Sequence, residues 1–260
     1  MLNNFLAILT DTISIALETN GRGYLGFIVE LPGAFIRGKT QEEALAKLSR
    51  EITSYMKWLG IRQQLNYRPI IVQTHHCSLM VEDADSEILL DADRKSMSEK
   101  EFNFFCDTVQ YSGETFLKIY TNAELRDWVD ETRIRKTFYG DNPKTINEIF
   151  NHVKGCQYYY LSRTQVPFKK IEEDYMKIRE FCLKRLSHLY RKHNNSLTFA
   201  VDNEQWTLKK ILRRFIWHDR IHAKAMLRIL ERQKQLEMID KYEDPFYFMS
   251  TQTQNHASIS

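Results

Sequence analysis

Residues 206–235 read WTLKKILRRFIWHDRIHAKAMLRILERQKQ, and this stretch decides how the second half of the chain folds. Six of its positions follow one another at spacings of 4, 3, 4, 3 and 4, the pattern of a helix that turns one face to a core. These positions are Ile211, Phe215, His218, His222, Ala225 and Ile229. The stretch predicts a helix over about residues 207–233, with two histidines where a bundle normally carries apolar side chains.

Three further amphipathic helices are predicted before this one. The first follows the capping box formed by Ser98 and Glu101. The second starts at Asn142-Pro143, because a proline at the first helical position needs no amide hydrogen. The third spans about residues 170–192. Together the helices predict an all-α, up-down four-helix bundle over residues 96–250, and the polar residues 251–260 predict a disordered tail.

Residues 1–95 predict a separate, small α+β domain of order β-β-β-α-β. Alternating apolar positions before and after Asn20-Gly21 indicate a hairpin, and a short third strand passes through residues 35–36. Thr40 and Glu43 form a capping box for one helix. Its core stripe comprises Ala44, Leu45, Leu48, Ile52, Met56 and Leu59. Residues 69–72 and 86–90 predict further strands, and the acidic residues 91–97 predict a linker between the domains.

The composition is that of a soluble globular protein. The chain has 260 residues, of which 43% are hydrophobic and 27% charged, so a mainly disordered or collagen-like chain is excluded. No apolar run is long enough to span a bilayer, and the first ten residues lack the basic flank of a signal peptide. Four scattered cysteines are typical of reduced thiols, so we expect a cytoplasmic protein with no membrane partner.

A third histidine is predicted to join the two on the last helix. On the second helix, His152 lies on a similar stripe, which comprises Thr145, Ile149, His152, Cys156 and Tyr159. Three inward imidazoles from two helices can form one face of a divalent metal site and leave other positions open, which is typical of catalytic sites. The alternative is that all three are core histidines whose nitrogens bind neighbouring polar groups.

The catalytic group itself is less evident from the sequence. Glu148 lies one turn before His152 and can orient that ligand, and Tyr159 is predicted to face the same cavity. Cys156 is either a thiolate ligand or a buried structural cysteine. The other five histidines are predicted to be surface or loop residues. They are His75, His76, His188, His193 and His256.

The segment that starts at Trp206-Thr207-Leu208 and includes His218-Asp219-Arg220-Ile221-His222 resembles the last core helix of the DinB-like four-helix-bundle family. Residues 145–153, TINEIFNHV, resemble that family's second-helix motif. The resemblance covers about residues 98–245. It implies a divalent ion, such as zinc, nickel, iron or manganese, held by His152, His218 and His222. It also implies a homodimer and, for some relatives, transfer of a low-molecular-weight thiol to a small electrophile.

The first domain resembles the HicB-type antitoxin fold. The resemblance is carried by residues 23–34, GYLGFIVELPGA, and by residues 37–44, RGKTQEEA. It implies a binding or dimerisation module. The helix-turn-helix or ribbon-helix-helix extension with which many such antitoxins bind operators is missing from the sequence.

Basic residues on the last predicted helix allow a further interpretation. Five of them can contact phosphates: Lys209, Arg213, Arg220, Lys224 and Arg228. The alternative is an ordinary solvated helix face, and because the net charge is only +3, a nucleic-acid partner is disfavoured. Two functions remain open. One is a metal-dependent transferase or hydrolase that acts on a small molecule, and the other is an interaction protein that binds a protein or RNA through residues 1–95.

Overall fold

The structure is a computed structural model that describes residues 11–61, 66–133, 136–137 and 140–249, with the backbone alone at residues 133, 136, 137 and 140. The predicted tail at residues 251–260, and His256 within it, lie outside the described residues. Among the helices that are described, none is long and apolar enough to cross a bilayer.

A four-stranded sheet occupies the first part of the chain, as the sequence predicts. Its strands are β1 Thr12–Thr19, β2 Tyr24–Ile28, β3 Phe35–Gly38 and β4 Arg68–His76. The strand order is β3-β2-β1-β4, with β1 antiparallel to β2 and parallel to β4. The predicted hairpin turn at Asn20-Gly21 is confirmed, and Gly21 supplies a φ of 81°.

Two helices cross over from β3 to β4. They are α1 Gln41–Leu45 and α2 Leu48–Trp58, so the single predicted helix is interrupted at residues 46–47. Thr40 accepts a hydrogen bond from the Glu43 amide as predicted, and Glu43 reaches back to the Lys39 amide. The predicted core stripe is buried except for Leu45, which is half-buried.

The predicted strand at residues 86–90 is wrong, because these residues do not pair with any strand of the sheet. The segment instead hydrogen-bonds to side chains. Glu18 Oε1 accepts from the Glu87 and Ile88 amides at 2.8 and 3.0 Å. Lys210 donates to the Glu87 carbonyl and Arg213 to the Ile88 carbonyl. An apolar run can therefore be extended and buried without entering a sheet.

A helical region follows the sheet, again as predicted. Its long helices are α3 Glu99–Asn122, α4 Ile146–Ser162, α5 Tyr175–His193 and α6 Leu208–Gln235. Two short hairpins lie between them, β5 Lys136–Thr137 with β6 Gly140–Asp141, and β7 Phe199–Val201 with β8 Glu204–Trp206.

The starts of two long helices differ from the prediction because capping side chains set them. α4 begins after Thr145, whose hydroxyl accepts from the Glu148 amide, and not at Asn142-Pro143. α5 begins after Asp174, which accepts from the Lys177 amide, and not near residue 170. The predicted cap Ser98 of α3 is confirmed.

Residues 91–97, predicted as a linker, connect the two parts of the chain through buried contacts. Asp91–Arg94 form a 3₁₀ turn, and the Asp93 carboxylate binds Arg213 of α6 at 2.6 Å. The turn between β2 and β3 also lies on α6. A Cβ on Gly33, whose φ is 83°, would approach Ile216 Cγ2 to 2.5 Å and the Trp217 nitrogen to 2.8 Å. Apolar side chains of the sheet and the helices share a large buried core, and a second, smaller cluster packs Trp217 of α6 against Phe27 and Phe35 of the sheet.

Candidate metal centre

Helices α4 and α6 bring together the three histidines that the sequence selects. His152 Nε2 lies 3.2 Å from His218 Nε2, and one ligand nitrogen from each ring lies within 4.8 Å of the others. His218 is buried, His222 is half-buried and His152 is exposed, so the cluster extends from the core to the surface. Among the described residues, this is the one group of three or more His, Cys, Asp or Glu side chains that can share an ion.

The geometry of the cluster fits a divalent ion. Zinc–nitrogen bonds of ~2.0–2.1 Å in a tetrahedron place two ligand nitrogens about 3.3 Å apart. The distance between His152 Nε2 and His218 Nε2 is close to this value. The ring centroid of His222 lies 4.3 Å from that of His218 and 4.7 Å from that of His152. The donor set, three imidazoles, suits zinc, nickel or iron, whereas manganese, the fourth metal that the resemblance implies, prefers oxygen ligands.

Lowered pKa values favour the neutral form of the three imidazoles, which is the form that binds metals. Desolvation lowers the pKa of His152 below its ordinary value and lowers that of His218 much further. For His222, desolvation and then repulsion from His152 lower the pKa to about 3. Within the described ranges, neither His218 nor His222 hydrogen-bonds to a carboxylate, hydroxyl or carbonyl, so the alternative of core histidines with neighbouring polar partners lacks those partners.

Cys156 lies one turn beyond His152 on the same face. Its Sγ is 3.6 Å from His152 Nε2, and the side chain is partly buried. Burial raises the pKa of this thiol to about 11, so it is protonated at neutral pH without an ion nearby. The structure therefore leaves both interpretations of Cys156 open.

The two catalytic candidates point away from the histidines. Tyr159 is 43% exposed, and its ring lies under the Arg163 guanidinium at 4.2 Å. The buried stripe of α4 contains Ile149, Val153 and Tyr160, which shifts the inward face by about one residue from the predicted one. Tyr160 therefore contacts the cluster, with its ring centroid 5.5 Å from that of His218.

Glu148, the other candidate, is an exposed capping residue. Its carboxylate accepts from the Lys144 amide at the start of α4, which satisfies a free amide beside the helix terminus. This bond directs the carboxylate toward the helix start and away from His152. Sequence spacing alone cannot distinguish the two directions, because positions 144 and 152 are each four residues from Glu148.

The sequence interpretation missed a buried network next to the cluster. Asp219 binds Arg179 through two bonds, Nη1 to Oδ2 at 2.8 Å and Nη2 to Oδ1 at 2.9 Å. Tyr175 Oη and Ser112 Oγ donate to the same carboxylate at 2.9 and 2.6 Å. Arg179 Nε also donates to Gln157 Oε1. The network thus joins all four long helices.

Most of the five basic residues selected on α6 neither present their charge to a phosphate nor form a solvated helix face. Both interpretations of the sequence are therefore wrong for them. Arg213 and Arg220 are buried, and they bind Asp93 and Glu51, respectively, at 2.6 and 2.8 Å. Lys209 binds Glu101, and Lys224 binds the other oxygen of Glu51. Only Arg228 is exposed. The cations are internal because α6 is covered by the sheet region on one side and by helices on the other.

A cavity of about 540 Å³ lies between the start of α4 and the C-terminal half of α6, and its lining does not include His152, His218 or His222. Three apolar residues in its wall, Ile149, Ala225 and Ile229, continue the histidine-bearing faces of α4 and α6. Ile149 precedes His152 by three residues and Ala225 follows His222 by three, which is about one helical turn in each case. A small molecule in this cavity would therefore lie about one helical turn from the cluster.

The remaining described histidines lie elsewhere, as predicted. His75 and His76 are on β4, and His75 Nε2 pairs with Glu87 at 3.2 Å. His188 is exposed on α5, and His193 ends that helix. None of them belongs to a group of potential metal ligands within the part of the chain that is described.

Comparison with known proteins returned no relative of this chain. No protein-family model, no curated protein and no solved structure matches it. The DinB-like and HicB-like resemblances therefore stay predictions, and the function has to be argued from the site itself.

Proposed function

We propose that the protein is a divalent-metal-dependent enzyme of the DinB-like kind that acts on a small molecule, with transfer of a low-molecular-weight thiol as the reaction class. The single observation that carries this proposal is the cluster of His152, His218 and His222, whose nitrogens face one another within 4.8 Å. Three neutral imidazoles in contact cannot satisfy the hydrogen-bonding capacity of all their ring nitrogens, because at most one N–H can point at each lone pair. An ion satisfies all three.

The residues of the site have distinct roles in this proposal. His218 and His222 hold the ion from α6 and His152 holds it from α4, where the exposed edge of the cluster leaves room for a ligand. A divalent ion held there supplies Lewis acidity, which polarises an oxygen or sulfur atom of the bound molecule. Ile149, Ala225 and Ile229 form the apolar wall that positions that molecule.

The arrangement of the long helices supports the DinB-like part of the proposal. α6 packs against α3 and α4, and α5 packs against the same two helices. The main contacts thus follow a ring of order α3-α6-α4-α5, which supports a four-helix bundle. The consecutive helices α3/α4 and α5/α6 lie across the diagonal of this ring, whereas a simple up-down bundle places consecutive helices side by side. All four cysteines are free thiols, which supports a reducing, cytoplasmic location.

Metal content tests the proposal. Tag-free protein, purified without chelator, is analysed by mass spectrometry as wild type and as His218→Ala/His222→Ala. His188→Ala, an exposed histidine on α5, is the matched control. We expect about one equivalent of zinc, nickel, iron or manganese in wild type and control, and none in the double variant. A wild type that is empty and cannot be reloaded would overturn the proposal.

A second candidate function, an interaction protein, is favoured by strand β4. It is an edge strand, because among the described strands it pairs with β1 only, and it exposes Ile70, Ile71 and Val72. Residues 69–74 carry no charge, so this surface suits a protein strand better than an RNA backbone. The occupant that we favour is a second copy of the chain, because two identical edges can pair antiparallel about a twofold axis.

Light scattering after size exclusion tests the second candidate. Val72, 52% exposed, is replaced by Lys, and Leu236→Lys at 45% exposure is the matched control. We expect twice the 31.0 kDa chain mass for wild type and control, and the single mass for Val72→Lys. The dimer should persist after the metal is stripped. A monomeric wild type at micromolar concentration contradicts this function.

A further inference from the structure

A second cavity, of about 470 Å³, lies between β3, α2 and the C-terminal half of α6. Its volume is within the ~300–1,000 Å³ range of small-molecule sites. Lys224 of α6 contributes a primary amine to its lining, and its side chain is 20% exposed, so a molecule in the cavity can reach it. The apolar part of the lining includes Phe35, Ile36, Ile221 and Phe248. The cavity therefore places a potential nucleophile beside an apolar surface.

The Lys224 ammonium lies among one carboxylate and two aromatic rings. Its Nζ donates to Glu51 Oε2 at 2.7 Å, and it lies 4.1 Å from the ring centroid of Phe35 and 4.4 Å from that of Phe248. The other oxygen of Glu51 accepts from Arg220 at 2.8 Å, so one carboxylate binds two cations. These contacts fix the position of the amine next to the apolar part of the lining.

The same surroundings give Lys224 a larger fraction of the reactive, neutral amine than an ordinary lysine has. Desolvation lowers its pKa, the Glu51 carboxylate raises it and the cations Arg220 and Arg228 lower it, and the resulting pKa is about 8. About one quarter of the amine is then neutral at pH 7.5, against roughly 0.1% for an ordinary lysine. The other charged residues of the lining are Arg37, Lys47, Arg50, Glu231 and Arg232.

Lys118 of α3 shows that a carboxylate partner alone does not have this effect. It pairs with Glu243 at 2.7 Å, the same distance as in the Lys224 pair, but its side chain is exposed. Its hydrogen bond to Glu243 raises its pKa above the ordinary value. Burial next to further cations therefore distinguishes Lys224, and in such an environment a lysine amine becomes a nucleophile.

We propose that this cavity binds the aldehyde of a small molecule and that Lys224 captures it as an imine. The neutral amine adds to the carbonyl carbon, a proton moves from nitrogen to oxygen, and water leaves as the C=N bond forms, so no oxidant or reductant is needed. The protonated imine keeps one N–H and a positive charge beside Glu51. The apolar part of the lining packs against the body of the aldehyde. The proposal does not depend on the histidine cluster.

Reductive trapping tests the proposal. Benzaldehyde and sodium cyanoborohydride at neutral pH convert an imine into a stable benzylamine, which mass spectrometry of peptides locates. Lys224→Arg keeps the charge beside Glu51 but lacks an amine that forms this adduct, and Lys118→Arg is the matched control. We expect one main adduct in wild type and control, formed at Lys224 at least tenfold faster than at any other lysine, and no such adduct in Lys224→Arg.

The pH dependence of trapping in wild type is a second measurement, which does not need a variant to fold. Lys224 is mostly neutral above about pH 8, whereas Lys118 still gains neutral amine up to about pH 10. The ratio of the adduct at Lys224 to that at Lys118 should therefore fall at least tenfold between neutral pH and about pH 10. A constant ratio would overturn the proposal.

The outcomes separate this proposal from the proposed function. His218→Ala/His222→Ala should trap benzaldehyde at Lys224 as wild type does while it loses metal, and Lys224→Arg should keep its metal. An empty wild type that still traps benzaldehyde at Lys224 would overturn the metal function and leave this proposal standing. Adducts spread over the exposed lysines of wild type, with Lys224 no faster than Lys118, would overturn the imine.

Discussion

His218 and Asp219 are adjacent on α6, and both are buried, but their surroundings differ completely. Asp219 receives four hydrogen bonds from Ser112, Tyr175 and Arg179, and its charge is matched by the guanidinium. His218 faces two more imidazoles and shares a single contact of 3.2 Å with one of them. The Asp219 carboxylate therefore has both hydrogen-bond donors and a counter-charge, whereas the polar groups next to His218 are other imidazoles.

In our proposal, this difference separates a structural polar group from a ligand-binding one. A satisfied buried network fixes the packing of the helices that contribute to it. Buried groups that only face one another gain little from the fold, and this is the reason for which we propose that an ion binds there. The four predictions below test this distinction.

The largest effect is expected from Asp219→Ala, which leaves the Arg179 guanidinium buried without its counter-charge. The free energy of unfolding of the metal-free protein should fall by about 3–5 kcal/mol, as is usual when one partner of a buried pair is removed. Urea denaturation followed by circular dichroism measures the change. A loss below about 1 kcal/mol would mean that the network is not structural.

The histidines should instead contribute to stability mainly through a bound ion. Free zinc at 100 times its dissociation constant should raise the unfolding free energy of wild type by about 3 kcal/mol. His218→Leu/His222→Leu should show no such increase, although it fills the same space. The measurement is thermal or urea denaturation with and without buffered zinc. An equal increase in both proteins would place the ion elsewhere.

As the pH falls, the metal-free histidine cluster should lose its stability at a higher pH than the ion pair of Glu51 does. His222 has a folded pKa of about 3 against an ordinary 6.5, so the unfolded chain binds more protons between these values. The stability that neutral His222 contributes is thus fully present above pH 6.5 and is lost as the pH falls toward about 3. For Glu51, whose pKa is lowered from 4.5 to about 2, the corresponding stability is lost between pH 4.5 and about 2.

Between pH 7 and 5, wild type should therefore lose about 1–2 kcal/mol of unfolding free energy that His222→Leu does not lose. Urea midpoints at both pH values give the comparison. Parallel pH curves for the two proteins would contradict the low pKa of His222.

The smallest effect is expected from Thr145→Ala, which removes the cap of the helix that carries His152. The unfolding free energy should fall by about 1 kcal/mol, and the metal stoichiometry should stay at that of wild type. Denaturation and mass spectrometry on one preparation measure both. Loss of metal at so small a cost in stability would show that the cluster depends on helix α4 being fully fixed.

The sheet and the histidine cluster were accessible from the sequence because each follows a simple period. Alternation indicates the hairpin, and the 4, 3, 4, 3 spacing places His218 and His222 on the inward face of α6. On α4 the same spacing misplaces the inward face by about one residue, and His152, predicted to be inward, is exposed at its edge. The Asp219 network was not accessible, because period analysis assigns one buried face to a helix and α6 is covered on nearly all sides. The partners of the charged residues on α6, which are Arg179 for Asp219, Glu51 for Arg220 and Asp93 for Arg213, are distant in sequence and do not follow any local pattern.

The other differences between prediction and structure have two causes, which are side-chain hydrogen bonds that take the place of strand pairing and the exact position of one helix face. Residues 86–90 have the composition of a strand, yet cations of α6 bind their carbonyls. Tyr159 and Tyr160 are neighbours with the same side chain, and only the exact position of the inward face of α4 decides which one reaches the histidines. A pattern of apolar residues locates that face to within about one residue.

Four consecutive residues of α6 each serve a different part of the molecule. Trp217 packs against Phe27 and Phe35 of the sheet, His218 belongs to the histidine cluster, and Asp219 joins the long helices. Arg220 lies among the rings of Tyr55, Trp58, Phe246 and Phe248. Inserting one residue ahead of them would rotate all four by about 100°, so that each would meet its neighbour's partners. During evolution this helix can exchange side chains one at a time, but its length upstream of Trp217 cannot change by a single residue.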